Sequence, residues 1–146
     1  MASIHQRICI AVAPEYAWAA LRDVGALHTR LVRGFVIDCH LEGGARLVRF
    51  ANGLEVREAI IDIDDMRRRV AWSATGGRLS HHNASAQVLD TGDGGCEVAW
   101  VADLLPDAME PAIAAMIEQG LAAMRATLES QAPAVAASAE ADWRGG

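Results

Sequence analysis

The carboxylate of Glu58 is the side chain whose type and position most directly suggest chemistry. Residues at spacings of two share one face of a strand, so in the predicted strand 54–63 Glu58 lies on the face of Val56, Ile60 and Asp62. A carboxylate on a buried face is costly unless a cation, a hydrogen-bond donor or water satisfies it. The pattern therefore indicates a lined pocket with an acid in its wall. A structural role for Glu58, bonded to backbone or water, stays open.

His82 is the second candidate group. Alternation in the predicted strand 81–89 places it on the covered face with Ala86, and places His81 on the opposite face. His82 is then either a core histidine or an acid–base group that works with Glu58. Because His81 and His82 point to opposite faces, the two rings cannot bind one metal ion together, and the sequence predicts no metal site.

Other positions offer weaker signals. Arg33, at the start of the strand that follows the predicted helices, is a candidate counter-charge for Glu58 or else a solvated surface charge. The sequence has no G-x-S-x-G nucleophile, phosphate-binding loop or dinucleotide fingerprint, so no cofactor is expected. Its three cysteines, Cys9, Cys39 and Cys96, are far apart and odd in number, which predicts buried thiols rather than disulfides or a zinc knuckle.

Length and charge exclude several classes of protein. The 146 residues suit one domain, expected at residues 1–130. Lys and Arg total 13 against 19 Asp and Glu, and the formal net charge of −6 disfavours nucleic acid as a partner. No apolar run reaches the roughly 18–20 residues that span a bilayer, and the first residues do not form a signal peptide. We therefore expect a cytoplasmic protein without membrane insertion, either a monomer or a homodimer.

Turn signals divide the middle of the sequence into strands. After a predicted strand at 5–12, Pro14 opens one short helix and Asp23 can cap a second. Turns such as Asn52-Gly53 then separate apolar stretches of strand length, which predicts an antiparallel meander and seven strands in all. The strands of the meander are expected at 35–41, 46–51, 54–63, 68–74, 81–89 and 96–104.

A long amphipathic helix is predicted at 111–130. Apolar residues and one glycine recur there at steps of three and four: Met109, Ile113, Met116, Gly120 and Met124. At 1.5 Å per residue the helix is about 30 Å long, enough to lie across a sheet. Its methionines are either simple core or a wall for a ligand. The segment 131–146, rich in alanine and polar residues, is expected to be a disordered tail.

The inward face of the predicted sheet combines large and small side chains. Alternation places Val48, Phe50, Trp72 and Trp100 on the same face as Glu58. Small residues accompany them on the sheet and the long helix: Ala84, Ala86, Ala102 and Gly120. The prediction is an α+β fold in which a curved antiparallel sheet wraps around the terminal helix and leaves a cavity.

The order of these elements resembles the helix-grip fold of the START-like (SRPBCC) superfamily over residues 4 to about 130. In particular it resembles the bacterial polyketide cyclase/dehydrase-like group. The residues that carry this resemblance are Val12-Ala13-Pro14 with Trp18, Leu21 and Asp23, then Arg49-Phe50-Ala51-Asn52-Gly53, Val56-Arg57-Glu58, Asp64-Asp65 and Arg68-Arg69. The stretch 58–77 is also similar to plant abscisic acid receptors.

The resemblance implies roles for several residues. It implies that Glu58 lines a cavity whose wall includes Phe50 and Trp72. It also implies that Arg33 occupies the place of the receptor lysine that meets the ligand carboxylate, and that His82 falls where the receptors have a pocket tyrosine.

Three functional hypotheses follow. The first is a binding protein whose cavity accepts a small hydrophobic or amphipathic molecule. The second is an enzyme of the cyclase or dehydratase kind, in which Glu58 and His82 act as acid and base on a carbonyl compound held against Trp72 and Trp100. The third is a protein-interaction module, which requires an exposed apolar patch. The candidate ligand-binding residues are Glu58, Arg33, His82, Phe50, Trp72, Trp100, Met116 and Gly120.

Overall fold

A computed structural model describes residues 1–132. Seven strands form one antiparallel sheet in the order β1-β7-β6-β5-β4-β3-β2. The strands are β1 (Ala2–Ile10), β2 (Val36–Glu42), β3 (Ala45–Phe50), β4 (Glu55–Asp64), β5 (Arg69–Thr75), β6 (His81–Asp90) and β7 (Cys96–Leu105). The helices are α1 (Pro14–Arg22), the π-helical segment Leu27–Leu31, the single 3₁₀ turn Asp107–Met109 and the long helix α2 (Glu110–Gln131). The predicted helix-grip architecture is confirmed.

The turn between β3 and β4 sets the register on which the interior depends. Asn52 Oδ1 accepts a hydrogen bond from the backbone N–H of Leu54 at 2.9 Å. Gly53 has φ of 90°, a conformation that glycine adopts without steric cost. The hairpin that leaves this turn pairs Arg46 directly opposite Glu58.

The long helix α2 packs against the concave face of the sheet. Its side chains Met124 and Leu128 are almost completely buried in the core. Gln6 of β1 donates to the backbone oxygen of Ala114 at 3.0 Å, and Glu129 accepts from the backbone N–H of Ala11 at 2.9 Å. These bonds fix α2 over β1, one edge of the sheet.

The first helix is tied to the β4–β5 turn. Asp65 in that turn accepts hydrogen bonds from Trp18 Nε1 at 3.0 Å and from Arg22 Nε at 2.8 Å. Asp23 does not cap the second helical segment as predicted, and instead pairs with Arg30 at 2.9 Å. Trp18 and Leu21 are buried, so α1 closes one side of the core.

One part of the predicted alternation is wrong. Strand pairing shifts between Ile60 and Asp62, where β4 carries a bulge against β5. The extra residue reverses the alternation, so that Asp62 is exposed and Ile63 packs against the core instead. Each predicted strand corresponds to an observed one, although β1 begins at Ala2 rather than at residue 5.

The predicted tail lies almost entirely beyond the described part of the chain. Gln131 closes α2, and residues 133–146 fall outside the described range. Among the helices of residues 1–132, none combines the length and hydropathy needed to cross a membrane.

Candidate functional site

A cavity of about 430 Å³ lies between the sheet and α2. Its walls are mainly apolar. Aromatic rings come from the sheet side and methionines from the helix side, among them Phe35, Phe50, Trp72, Trp100, Met116 and Met124. Protein pockets for small molecules fall in the range of about 300–1,000 Å³, so the cavity has the size of a ligand site.

The cavity contains a buried ion pair. Arg46 Nε lies 2.7 Å from Glu58 Oε1, and the two side chains are only 4% and 10% exposed. Residues directly opposite on neighbouring antiparallel strands have Cβ atoms about 4.5–5.5 Å apart, which brings these two side chains into contact. The carboxylate that the sequence placed inside the fold thus has a fixed cationic partner.

The guanidinium of Arg46 makes two further contacts. Its Nη1 donates to the backbone oxygen of Val24 at 3.3 Å, and its centre lies 5.2 Å from the ring centroid of Trp72. Trp72 in turn packs edge to face against Trp100, with ring centroids 5.7 Å apart. The positive charge of Arg46 therefore interacts with a carboxylate, a backbone carbonyl oxygen and an aromatic face.

The imidazole of His82 is held in one tautomer. Its Nδ1 accepts a hydrogen bond from the backbone N–H of Ala74 at 3.0 Å. Burial lowers the pKa of His82 below its ordinary value, and the nearby Glu58 carboxylate partly opposes that shift. At neutral pH the ring is therefore uncharged, with its proton on Nε2. Within residues 1–132, Nε2 makes no hydrogen bond.

Backbone pairing explains why His82 and Glu58 are near each other. Ala74 of β5 stands directly opposite Glu58 of β4. On its other side, the regular ladder between β5 and β6 ends at Trp72 and Ala84. Beyond that point the backbone N–H of Ala74 donates to the His82 ring instead of to a backbone oxygen of β6. Ala74 is therefore paired with Glu58 on one side and hydrogen-bonded to His82 on the other.

Exposed lining residues define the rim of the cavity. They come from the β3–β4 turn, the β5–β6 loop and the first turn of α2, and are Leu54, Gly76, Gly77, Arg78 and Ala112. Arg78 forms no ion pair with any residue of the described segment. The rim thus has a solvated cation, whereas the cation in the interior is paired.

A protein family described as polyketide cyclase / dehydrase and lipid transport matches residues 1–129. The chain belongs to this family. The predicted membership of the START-like superfamily and its cyclase/dehydrase-like group is therefore confirmed. No curated protein matches the sequence.

Solved structures of other proteins share the family fold. XoxI from Bacillus cereus is 19% identical, with 91% of this chain and 100% of that chain covered and a TM-score of 0.79. Norcoclaurine synthase from Thalictrum flavum, solved as a point mutant with a transition-state analogue, is 19% identical over 90% of this chain and 96% of that chain, with a TM-score of 0.65. The di-domain ARO/CYC protein BexL is 13% identical over 88% of this chain and 47% of that chain, with a TM-score of 0.76. At these identities the likeness establishes the fold alone.

Most of the predicted site residues line the cavity of this family member. They are Glu58, His82, Phe50, Trp72, Trp100 and Met116. Gly120 does not line it, because it is buried behind the wall. A Cβ on Gly120 would lie 2.9 Å from Trp100 Cζ3 and 3.2 Å from Phe35 Cε2. Its role is close packing of α2 against these two rings.

Arg33 is not the counter-charge of Glu58, and it does not line the cavity. Its side chain is exposed. Its backbone N–H, by contrast, donates to Thr127 Oγ1 of α2 at 3.0 Å. Gly34, with φ of 82°, then turns the chain into β2. The interior cation that the sequence analysis missed is Arg46.

A signal for Arg46 was present in the sequence. Arg46 shares its strand parity with Val48 and Phe50, both of which were assigned to the inner face. Pairing about the Asn52-Gly53 turn then puts Arg46 opposite Glu58.

In residues 1–132, no three His, Cys, Asp or Glu side chains are close enough together to hold a metal ion.

Proposed function

We propose that the protein binds a small hydrophobic or amphipathic molecule in the cavity between the sheet and α2. The observation that carries this proposal is the volume of about 430 Å³ in the middle of the fold, behind mainly apolar walls. Protein interiors are normally packed with few voids larger than a water molecule. Space of this size is therefore better explained by an occupant than by core packing.

The polar groups of the cavity would orient such a ligand. Ligand pockets combine apolar walls with a few well-placed polar groups. Here Glu58 and His82 each keep hydrogen-bonding capacity that the described residues do not use up. An apolar body would then lie against Trp72, Trp100 and Met116.

A matched pair of variants tests the proposal. Met116 lines the cavity and the adjacent Ala115 is exposed on the same helix. Met116→Trp should narrow the cavity and weaken the fluorescence enhancement of the uncharged probe N-phenylnaphthylamine, whereas Ala115→Trp should preserve it. Native mass spectrometry of gently purified protein should reveal a retained small molecule. If the probe fails to bind the unmodified protein, or binds both variants equally, the proposal is wrong.

A second candidate function is catalysis of a cyclisation or dehydration. The observation that favours it is that the Glu58 carboxylate and the neutral N–H donor of His82 lie on either side of Ala74. General acid–base chemistry requires a proton donor and a proton acceptor of this kind in a site from which water is excluded. The ARO/CYC protein BexL and norcoclaurine synthase have the same fold.

Kinetics separate the two candidates. With a carbonyl substrate of the polyketide type, Glu58→Gln and His82→Asn should each cut turnover while leaving product binding largely intact. If no such compound is turned over and the cavity still binds its ligand, binding is the function.

The third hypothesis, an interaction module, has no specific observation behind it. The large exposed hydrophobic residues of the described segment are Met1, Ile37, Leu41, Leu54, Ile61 and Met66. They are spread over the start of β1, strands β2 and β4 and two hairpin turns. Scattered exposed hydrophobic residues are normal at protein surfaces.

A further inference from the structure

The interior of the cavity has a cation whose charge is already paired with a carboxylate. Arg46 is bonded to Glu58 Oε1 and to the backbone oxygen of Val24, and it lies over the ring of Trp72. The family resemblance suggested that Arg33 would meet a ligand carboxylate, but that side chain is exposed and outside the cavity. An anionic ligand group would therefore find no unpaired cation in the interior.

The remaining interior groups suit a different partner. Glu58 Oε2 has no hydrogen bond within residues 1–132, so the pair offers a free carboxylate oxygen as an acceptor. His82 Nε2 offers an N–H donor on a neutral ring. A ligand hydroxyl could donate to Glu58, and a carbonyl or hydroxyl oxygen could accept from His82.

We propose that the interior of the cavity selects an uncharged ligand carrying a hydroxyl or carbonyl group and rejects anionic ligands such as carboxylates, with Arg46–Glu58 as the specificity-determining pair. This inference rests on the proposed ligand-binding function and adds the charge class of the ligand. An anion placed beside Glu58 is repelled in a site of low dielectric, and its desolvation is not offset by a free cation. A neutral polar group suffers neither penalty.

Two fluorescent probes of nearly the same shape test the proposal. N-phenylnaphthylamine is uncharged, and anilinonaphthalene sulfonate carries an anionic group on the same ring system. The exposed Arg78 at the rim could attract the sulfonate, so both probes are measured in the Arg78→Gln protein as well as in the unmodified one. In Arg78→Gln we expect the uncharged probe to bind about tenfold or more tightly than the sulfonate.

The Glu58→Gln variant tests whether the ion pair causes the discrimination between the two probes. It removes the repelling carboxylate and frees Arg46, so the affinity for the sulfonate, relative to that for the uncharged probe in the same variant, should rise by about tenfold. Cooperative urea unfolding establishes that this variant is folded. The comparison of the two probes in Arg78→Gln stands even if Glu58→Gln is unfolded.

The outcomes are distinguishable. Equal affinity of the two probes in Arg78→Gln, or tighter binding of the sulfonate, overturns the charge selectivity while leaving ligand binding in place. Failure of both probes to bind contradicts the proposed function itself. A folded Glu58→Gln protein that still rejects the sulfonate shows that Arg46–Glu58 does not set the specificity.

Discussion

Arg46 and Glu58 occupy directly opposed positions on β3 and β4, and Arg46 Nε donates to Glu58 Oε1 across 2.7 Å inside the fold. Such a pair stabilises a protein little compared with well-packed apolar residues, because both charges must be desolvated. Loss of one partner is different, since the other charge is then left buried alone. The position of this pair in a cavity wall is more readily explained by binding than by stability.

The first prediction concerns the stability of this pair. Arg46→Met should lower the free energy of unfolding by about 3 kcal/mol or more, because it leaves the Glu58 carboxylate without a partner. The double variant Arg46→Met with Glu58→Leu should recover most of that loss, since it removes both charges. Urea denaturation followed by tryptophan fluorescence measures both changes.

The same hairpin supplies the control. Arg49 and Glu55 are also opposite each other on β3 and β4, but both side chains are more than half exposed. Arg49→Met should therefore change the free energy of unfolding by only about 0–1 kcal/mol. Equal losses in Arg46→Met and Arg49→Met would contradict the assignment of a buried pair.

The second prediction concerns pH. The pKa of His82 is lowered in the folded state, mainly by burial, so at a pH below about 6.5 the unfolded chain takes up a proton that the folded protein does not. The stabilisation associated with neutral His82 is fully present above that pH and is lost as the pH falls from there toward the folded-state pKa. Urea midpoints measured between about pH 5 and pH 8 should record this loss.

Two histidine variants check the pH prediction. His82→Asn keeps an acceptor for the Ala74 N–H but cannot titrate, so its stability should depend less on pH over this interval. His81→Gln changes the exposed neighbour and should leave the pH dependence of the unmodified protein in place. A pH profile unaffected by His82→Asn would count against the buried neutral imidazole.

The third prediction concerns the packing of α2. Gly120→Ala should destabilise the protein by about 1–3 kcal/mol, because the new methyl group would meet Trp100 Cζ3 at 2.9 Å. Helix propensity alone predicts the opposite sign, a gain of about 1 kcal/mol. In a Trp100→Phe background the smaller ring should remove most of the cost. Stabilisation by Gly120→Ala in the otherwise unmodified protein would contradict this prediction, because it would show that the Trp100 ring can move aside at no cost in stability.

The fourth prediction concerns the thiols. Burial raises the pKa of Cys39, and it raises the pKa of Cys96 to about 11. Cys9 is exposed, so the prediction of a buried thiol is wrong at that position. The thiolate is the reactive form, so in the native protein Ellman's reagent should modify Cys9 rapidly and the other two slowly. All three should react once urea unfolds the chain. Rapid native labelling that survives Cys9→Ser would contradict the burial of Cys39 and Cys96.

The sequence could predict the fold because its signals are local. Alternation at a spacing of two identified the strand faces, and steps of three and four identified α2. The inward positions of Glu58, Trp72 and Trp100 followed from parity alone, and the structure places all three in the cavity wall. Parity failed at Asp62, because a bulge depends on how two strands pair and not on either strand by itself.

The partner of Glu58 could not be chosen so directly. Arg33 precedes it by 25 residues and Arg46 by 12, and both are cations at the start of a predicted strand. The register of the β3–β4 hairpin brings Arg46 to Glu58, while a hydrogen bond to Thr127 on α2 turns the Arg33 segment outward. The choice between them depends on contacts that form only when distant elements pack together.

By itself the sequence determined the order of the elements, the inward face of the strands outside the β4 bulge and the presence of an interior acid, since these depend on periods that run along a single segment. Tertiary structure decided that space of about 430 Å³ stays open, that Arg46 neutralises Glu58 and that burial keeps His82 uncharged at neutral pH. Those properties arise where β3, β4, β5, β6 and α2 meet, because cavity volume, ion pairing and desolvation are set by the distances between elements that are far apart in the chain.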